Sequence, residues 1–501
     1  MQSEEESKTS PSRGRSAVRS GLLTGLSYLT LAAAGAAAGV YLAHKFGRND
    51  RTDGFLAAYG VYLVLVFGAQ AFRMVVVPDL TRAYAQGRLG SEFGSYVAAF
   101  LTLSVPVSAV VVAFPDFFGE LITGRLPHSS AVLAGRALAW IVPAAFAQLL
   151  AALAASALAA RDEYATAAVG FALGGIAGFL MFVVLAGAHG LIALAWGLGL
   201  NGAISLGLPL GALAIHGGRP RQLLGGDVRA VGRRLWRLAY GTAVPLAGQA
   251  LYLLALRFAA GTGAGNVTSL SYAYLLAAMF VSATAFSLSL ISAAPLTRRG
   301  VDAETAADHL VHSAWVSLVL VGAASGTVAL AGGRVVTALL GHAYAGKVGT
   351  ELGRLVAYLA IWMIAWAAFS ITYPMLFVMY RTRLLIPLAV ATIVVDIPIS
   401  IAARAWAGLT GVALALGIST LLMVLGLMAA LAPRMLWLSL VGLARLALIV
   451  GAATALAFGG ASLLLPVVPA VALGLFVYAL LLIGVRQLGL AEAWHYVRAL
   501  H

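Results

Sequence analysis

Apolar residues in this chain gather into runs of about twenty or more, separated by short polar turns, and do not alternate with polar residues at every second position. Crossing a hydrocarbon core of ~30 Å takes ~20 helical residues, so each run predicts a transmembrane helix. Barrel strands would alternate instead. The pattern gives fourteen spans, near 21–43, 54–78, 95–115, 133–159, 164–187, 190–215, 236–258, 269–293, 310–331, 353–379, 384–402, 408–431, 441–464 and 466–484. The fold class is all-α, a polytopic membrane protein.

Composition narrows the function classes. Of the 501 residues, 61% are apolar and 10% charged, which excludes an ordinary soluble enzyme. The absence of cysteine excludes disulfides, thiolate zinc sites and a cysteine nucleophile. The net charge is +14, from 32 Lys and Arg against 18 acids. No basic stripe interleaved with aromatics accompanies it, so nucleic acid is not expected as a partner. The charge reads instead as orientation. With the N-terminus inside, the cytoplasmic segments hold 19 Lys and Arg and the outer connections hold 7, which predicts both termini in the cytoplasm.

The polar, Ser-rich residues 1–20 predict a disordered cytoplasmic tail. The apolar stretch behind them is too long for a signal-peptide core and lacks an evident cleavage site, so it is expected to remain as the first span. Shifting the chain on itself by 217–221 residues aligns VVVPDLTRA at 75–83 with SAAPLTRRG at 292–300, and ALAARDEY at 157–164 with LFVMYRTR at 376–383. Six spans separate equivalent positions, so two parallel six-helix repeats are expected. The organisation is then an N-lobe over 21–215, a basic cytoplasmic linker over 216–235, a C-lobe over 236–431, a final helix pair over 432–485 and a cytoplasmic tail over 486–501.

At the level of motifs the chain resembles the MurJ/MviN-type lipid II flippases of the multidrug/oligosaccharidyl-lipid/polysaccharide exporter superfamily. The resemblance rests on FGRNDRTDGFLAAY at 46–59, with Asp53 and Phe55 matching, on Pro78, on LSYAYLL at 270–276 with Pro295, and on ALAARDEYATAAV at 157–169. It implies fourteen helices arranged six plus six plus two, a bacterial-type cytoplasmic membrane, a polyprenyl-linked glycan as substrate, surrounding membrane lipids, cell-wall synthesis proteins as partners and no enzymatic activity. The sequence departs from the family where arginines are expected to face the cavity. The first span reads SYLTLAAAGAAAG at 27–39, and Val66 and Leu275 stand at the other two positions. A buried anion needs paired cations, so the pyrophosphate of lipid II is not specified by these positions.

Several residues carry candidate chemistry. Asp396 is the one carboxylate placed well inside a span, with Pro398 behind it and Thr392 and Ser400 one turn to either side, a constellation for sodium or proton coupling. The alternative is a protonated or arginine-paired acid at a tight interface, with Arg257 as the partner. Arg257 and Arg136 lie near outer span ends, where arginine either meets a phosphate bidentately or snorkels to headgroups. Asp53 lies in the first outer turn with Arg48, Asp50 and Arg51, for gating and substrate contact or as the cap of the second span. Gln249, Gln70, Gln148 and Asn201 are candidates for sugar hydroxyls or for interhelical hydrogen bonds. GHAYAGKV at 341–348 lacks the final Ser or Thr of a phosphate loop. His309 and His312 lack a third metal ligand. No cofactor is expected beyond a coupling ion.

These features favour a flippase that moves a polyprenyl-linked envelope precursor by alternating access. An ion-coupled exporter of drugs or organic cations keeps the same fold. A lipid-phosphate-dependent glycosyltransferase would need a catalytic carboxylate such as Asp50 or Asp53 and more room outside the membrane. A channel would need a ring of charge.

Overall fold

The computed structural model describes residues 30, 31, 33–161, 163–215, 228–279, 281, 303–378 and 384–485. The tails at 1–20 and 486–501, most of the linker, Pro295, and the side chains of Gln70, His309 and His312 lie outside the described residues. Among the described residues all regular structure is helical, as a chain without water around its backbone requires. The helices are α1 (33–46), α2 (Asp50–Ala85), α3 (Leu89–Ala113), α4 (Pro115–Thr123), α5 (His128–Ala159), α6 (Ala165–His189), α7 (Ile192–Ile215), α8 (Val228–Ala260), α9 (266–279), α10 (Ala303–Leu340), α11 (Lys347–Tyr358), α12 (Ala360–Val378), α13 (Leu385–Leu431), α14 (Pro433–Thr454), α15 (Gly460–Leu464) and α16 (Val467–Val485).

Among the described residues eleven candidate spans are long and apolar enough to cross a membrane. One of them, α13, supplies two crossings. Its 47 residues would reach about 70 Å as a straight rod, but Ala407 and Gly408 are non-helical, with φ +57° at Gly408. A Cβ on Gly411 would sit 1.8 Å from the Ala403 carbonyl oxygen. Two residues eight apart approach that closely only where the helix turns back on itself. The expected spans 384–402 and 408–431 are the two arms of this hairpin. The spans expected at 21–43 and 269–293 are described in part, as α1 and α9.

Other boundaries differ for physical reasons. The span expected at 353–379 is two helices meeting at Leu359. That at 310–331 extends from Ala303 to Leu340, with a polar stretch, AETAADH, ahead of the apolar run and GGRVVTALL after it. The last eight residues assigned to the linker form the first turns of α8. The span expected at 441–464 begins at Pro433 and carries a π-helical segment, Ala455–Gly459. The short helix α4 is below the length that an apolar-run rule detects. Large apolar side chains such as Val105 and Val112 of α3 or Leu463 beyond α14 are 50% or more exposed, which is the lipid-facing surface of a membrane protein.

The chain divides into two compact units. One comprises the described residues of 30–42, 61–118 and 135–239. Its core centres on Val76, Leu80, Phe93, Tyr96, Leu153 and Leu158, with Phe72, Phe100 and Phe146 in edge contacts at 5.9 and 5.8 Å. Within it α6 packs on α7 through glycines. A Cβ on Gly178 would lie 2.5 Å from the Gly197 carbonyl oxygen, and one on Gly197 would lie 2.4 Å from that of Gly178. Only hydrogen fits at either position, so the Gly170, Gly174, Gly178 run serves close helix approach.

The other unit comprises the described residues of 43–60, 119–134 and 240–485. It therefore incorporates the turn between α1 and α2, the start of α2 and the segment between α4 and α5. Its interior is a column of rings. Tyr252 stacks on Tyr274 at 3.9 Å, Tyr274 meets Trp362 at 4.6 Å, and Trp366, Phe369 and Tyr373 continue along α12. The final helix pair packs on α10. Phe458, in the π-helical segment, occupies space left by Gly326 and Gly474, where a Cβ would lie 2.3 and 2.7 Å from its ring. Tyr478 donates to the Val319 carbonyl at 2.8 Å.

Candidate functional site

In the second unit the turn preceding α2 and the first turn of that helix grip the N-terminus of α9. Asn49 caps α2: its Oδ1 accepts from the Thr52 amide at 3.0 Å. The expectation that Asp53 caps this helix is therefore corrected. Asp53 lies inside the first turn, and its carboxylate is aimed outward at a different helix. Its Oδ2 accepts from the Gly265 amide at 2.6 Å, and its Oδ1 accepts from the Thr268 amide at 2.8 Å and from the Thr268 hydroxyl. A side chain 212–215 residues away thus satisfies orphan donors that a local Ser, Thr, Asp or Asn would otherwise satisfy. The charge also lies at the positive end of the α9 dipole. Both Asp53 and Thr268 are fully buried.

Arg48 completes the grip. Its Nε donates to the Gly265 carbonyl and the Ser269 hydroxyl, each at 3.0 Å, and its Nη2 donates to Asn266 Oδ1 at 2.6 Å. Gly265 has φ +78°, and a Cβ there would meet the Arg48 side chain at 2.5 Å, so glycine is required both by conformation and by this contact. The same inter-helix turn is held by Arg404, whose Nη2 donates to the Gly261 carbonyl at 2.9 Å. Arg257, in the last turn of α8, donates to the Leu121 carbonyl and makes no ion pair with Asp396. Arg51 and Arg136 are exposed. Gln249 is buried and accepts from the Tyr274 hydroxyl at 3.1 Å.

Asp396 lies in the first arm of α13, about 17 Å along the helix from Leu385. It is 1% exposed. Ser400 donates to its Oδ1 at 3.2 Å, while Oδ2 accepts no well-formed hydrogen bond among the described residues. Ser419, on the returning arm, is also buried, and its hydroxyl lies beside this carboxylate. Thr392 instead donates to the Leu388 carbonyl of its own helix at 2.8 Å.

In the first unit, Gln148, Ser205 and Asn201 form a buried chain: Gln148 donates to Ser205 at 3.3 Å and Ser205 to Asn201 at 3.1 Å. This is interhelical bonding between α5 and α7. A second polar cluster surrounds Asp79, just beyond the α2 proline, and sequence reasoning did not single it out. Asp79 accepts from the Tyr96 hydroxyl and from Arg237, both at 2.5 Å, and from Arg82 at 3.2 Å. Arg234 lies 3.5 Å from it and pairs with Glu92. The signals were present as an Asp–Arg pair three apart after Pro78 and a basic run opening α8. Their convergence depends on tertiary packing.

No protein-family model matches the chain, and no curated protein matches it. Among solved structures the likeness is extensive. The fold is that of the transporters of the MOP superfamily. An inward-facing multidrug resistance MATE family transporter superposes with TM-score 0.62 at 13% identity, over 83% of this chain and 94% of that one. A MOP superfamily transporter from Pyrococcus furiosus does so with TM-score 0.59 at 12% identity, over 86% and 95%. The lipid II flippase MurJ in an inward closed conformation aligns with TM-score 0.74 at 16% identity, over 93% of this chain and 99% of that chain.

Proposed function

We propose that the protein is a flippase that moves a polyprenyl-linked cell-envelope precursor from the inner to the outer leaflet by alternating access. The observation that carries this reading is the full-length likeness to the lipid II flippase, with TM-score 0.74 over 93% of the chain. It is supported by the Arg48–Asp53 grip at one end of α2 and by the excess of Lys and Arg in the segments assigned to the cytoplasm. In this reading the protein lies in a bacterial-type cytoplasmic membrane with both termini inside, and the grip is an outer closure that opens to release the headgroup. Asp396, with Ser400 and Ser419, would take a sodium ion or a proton to couple transport. Cell-wall synthesis proteins would supply and consume the cargo.

A second reading is ion-coupled export of an organic cation. It is favoured by the buried carboxylate of Asp396 together with the uncharged residues at 27–39, Val66 and Leu275, where a pyrophosphate would require cations. Depletion with mass spectrometry of lipid-linked intermediates separates the two. The first reading predicts accumulation of a glycan-lipid on the inner leaflet, reversed by complementation. Unchanged intermediates with altered drug sensitivity would replace it with the second.

A further inference from the structure

Among the described residues, Arg404 has hydrogen-bonding capacity that the fold does not use. Arg404 donates from Nη2 to the Gly261 carbonyl, and no other acceptor or carboxylate among the described residues takes its remaining donors. A guanidinium carries five N–H donors, so most of this fork is free. It lines an open cavity of about 440 Å³ with Gly261, Thr262, Ile401, Ala405 and Gly408.

Two further observations say what the cavity faces. Trp406, adjacent to Arg404 at the hairpin tip, is 81% exposed, as interfacial aromatics at headgroup level are. Val390, Val394, Ile397 and Ile401 are 57%, 59%, 41% and 54% exposed. Their spacing of four, three and four residues puts them on one face of the first α13 arm, and that stripe ends at the cavity. From Val390 to Arg404 the helix rises about 21 Å, enough to cross one leaflet's share, roughly 15 Å, of the hydrocarbon core.

We infer that this cavity binds a resident anionic phospholipid, with its phosphodiester on the Arg404 fork and one acyl chain along the Val390–Ile401 stripe. A phosphate matches the free, planar donor fork in geometry and charge. The uninterrupted apolar stripe matches a lipid tail and leaves a soluble phosphate with half of the site unused. Because Arg404 also holds the turn that precedes α9, the bound lipid adds a second anchor to the guanidinium that fixes the Gly261–Gly265 segment.

The test is native mass spectrometry of the purified full-length protein, exchanged into micelles doped with phosphatidylglycerol or phosphatidylcholine. The parent protein is expected to retain one phosphatidylglycerol and to retain phosphatidylcholine about tenfold less. Arg404→Gln is expected to lower phosphatidylglycerol retention about tenfold. Ala405→Glu, which leaves the Arg404–Gly261 bond in place and sets a negative charge in the cavity, is expected to do the same, so a folding defect of the first variant does not decide the outcome. Arg88→Gln, an exposed charge in the other unit, serves as the control and retains the lipid. Equal retention of the two lipids, or parental retention by both cavity variants, would overturn the inference. Displacement of the lipid by inorganic phosphate alone would overturn its apolar half.

Discussion

Replacing Asp53 by alanine removes the acceptor for three donors in the second unit: the Gly265 amide, the Thr268 amide and the Thr268 hydroxyl. Each orphaned buried donor costs about 1–3 kcal/mol, and loss of a helix cap alone costs about 0.5–2 kcal/mol. Shared strain and water entry make these terms less than additive. A destabilisation of the grip by about 3 kcal/mol is expected, which is roughly a hundredfold in the ratio of closed to open forms. The chain has no cysteine, so one introduced thiol reports without background. Ser130 is fully buried, and its backbone packs against Gly54, where a Cβ would lie 2.5 Å from the Ser130 carbonyl oxygen. A Ser130→Cys reporter should react with a membrane-impermeant maleimide on the order of a hundredfold faster when Asp53 is alanine, provided that opening precedes labelling. Thr268→Val in the same background should add little, because its partner is already gone. A labelling rate within about threefold of the parent would refute the assignment of Asp53 as the residue that holds this end together.

Three other outcomes follow from the geometry. Asp79→Ala takes the acceptor from the Tyr96 hydroxyl and from Arg237 and leaves Arg234 with Glu92 alone, and a hydrogen bond to a charged group is worth about 1.5–3 kcal/mol; a clear drop in apparent melting temperature of the purified protein is expected, larger than that of Arg82→Ala, whose side chain is 71% exposed. Pro245 lies inside α8 and has no amide hydrogen for the Gly241 carbonyl four residues earlier, and the Tyr373 hydroxyl donates to that carbonyl instead. Tyr373→Phe should therefore cost about 1–2 kcal/mol and become nearly neutral in a Pro245→Ala background, a coupling that a double-mutant cycle in thermal stability reads directly. If Asp396 takes a coupling ion, sodium-dependent or proton-dependent stabilisation should disappear in Asp396→Asn; an unchanged ion response would remove it from the coupling site.

The contrast between Asp396 and Asp53 shows what the amino-acid pattern carries. Asp396 stands out in an apolar run because a lone acid at mid-bilayer depth is costly wherever it points, and the spans themselves are legible because hydrocarbon thickness fixes their length. Helix ends in water obey no such ruler, so α10 and α8 run beyond their apolar cores. Asp53 looks like a local cap, and the local cap is Asn49, four residues earlier. What Asp53 serves is set by a partner more than two hundred residues away. The same holds for Tyr373 and for Asp79, whose partners belong to other helices. In each case the motif supplied the chemical capacity, and packing supplied the partner.

Reconstitution tests the proposed activity most directly. Liposomes containing the purified full-length protein and a fluorescent polyprenyl-diphosphate-linked glycan can be exposed to a membrane-impermeant quencher. The account predicts that the protein brings the inner-leaflet pool within reach of the quencher, and that Asp53→Ala alters the rate. Quenching that stops at the outer-leaflet fraction, with the protein folded and an organic cation exchanged in the same vesicles, would contradict the flippase assignment.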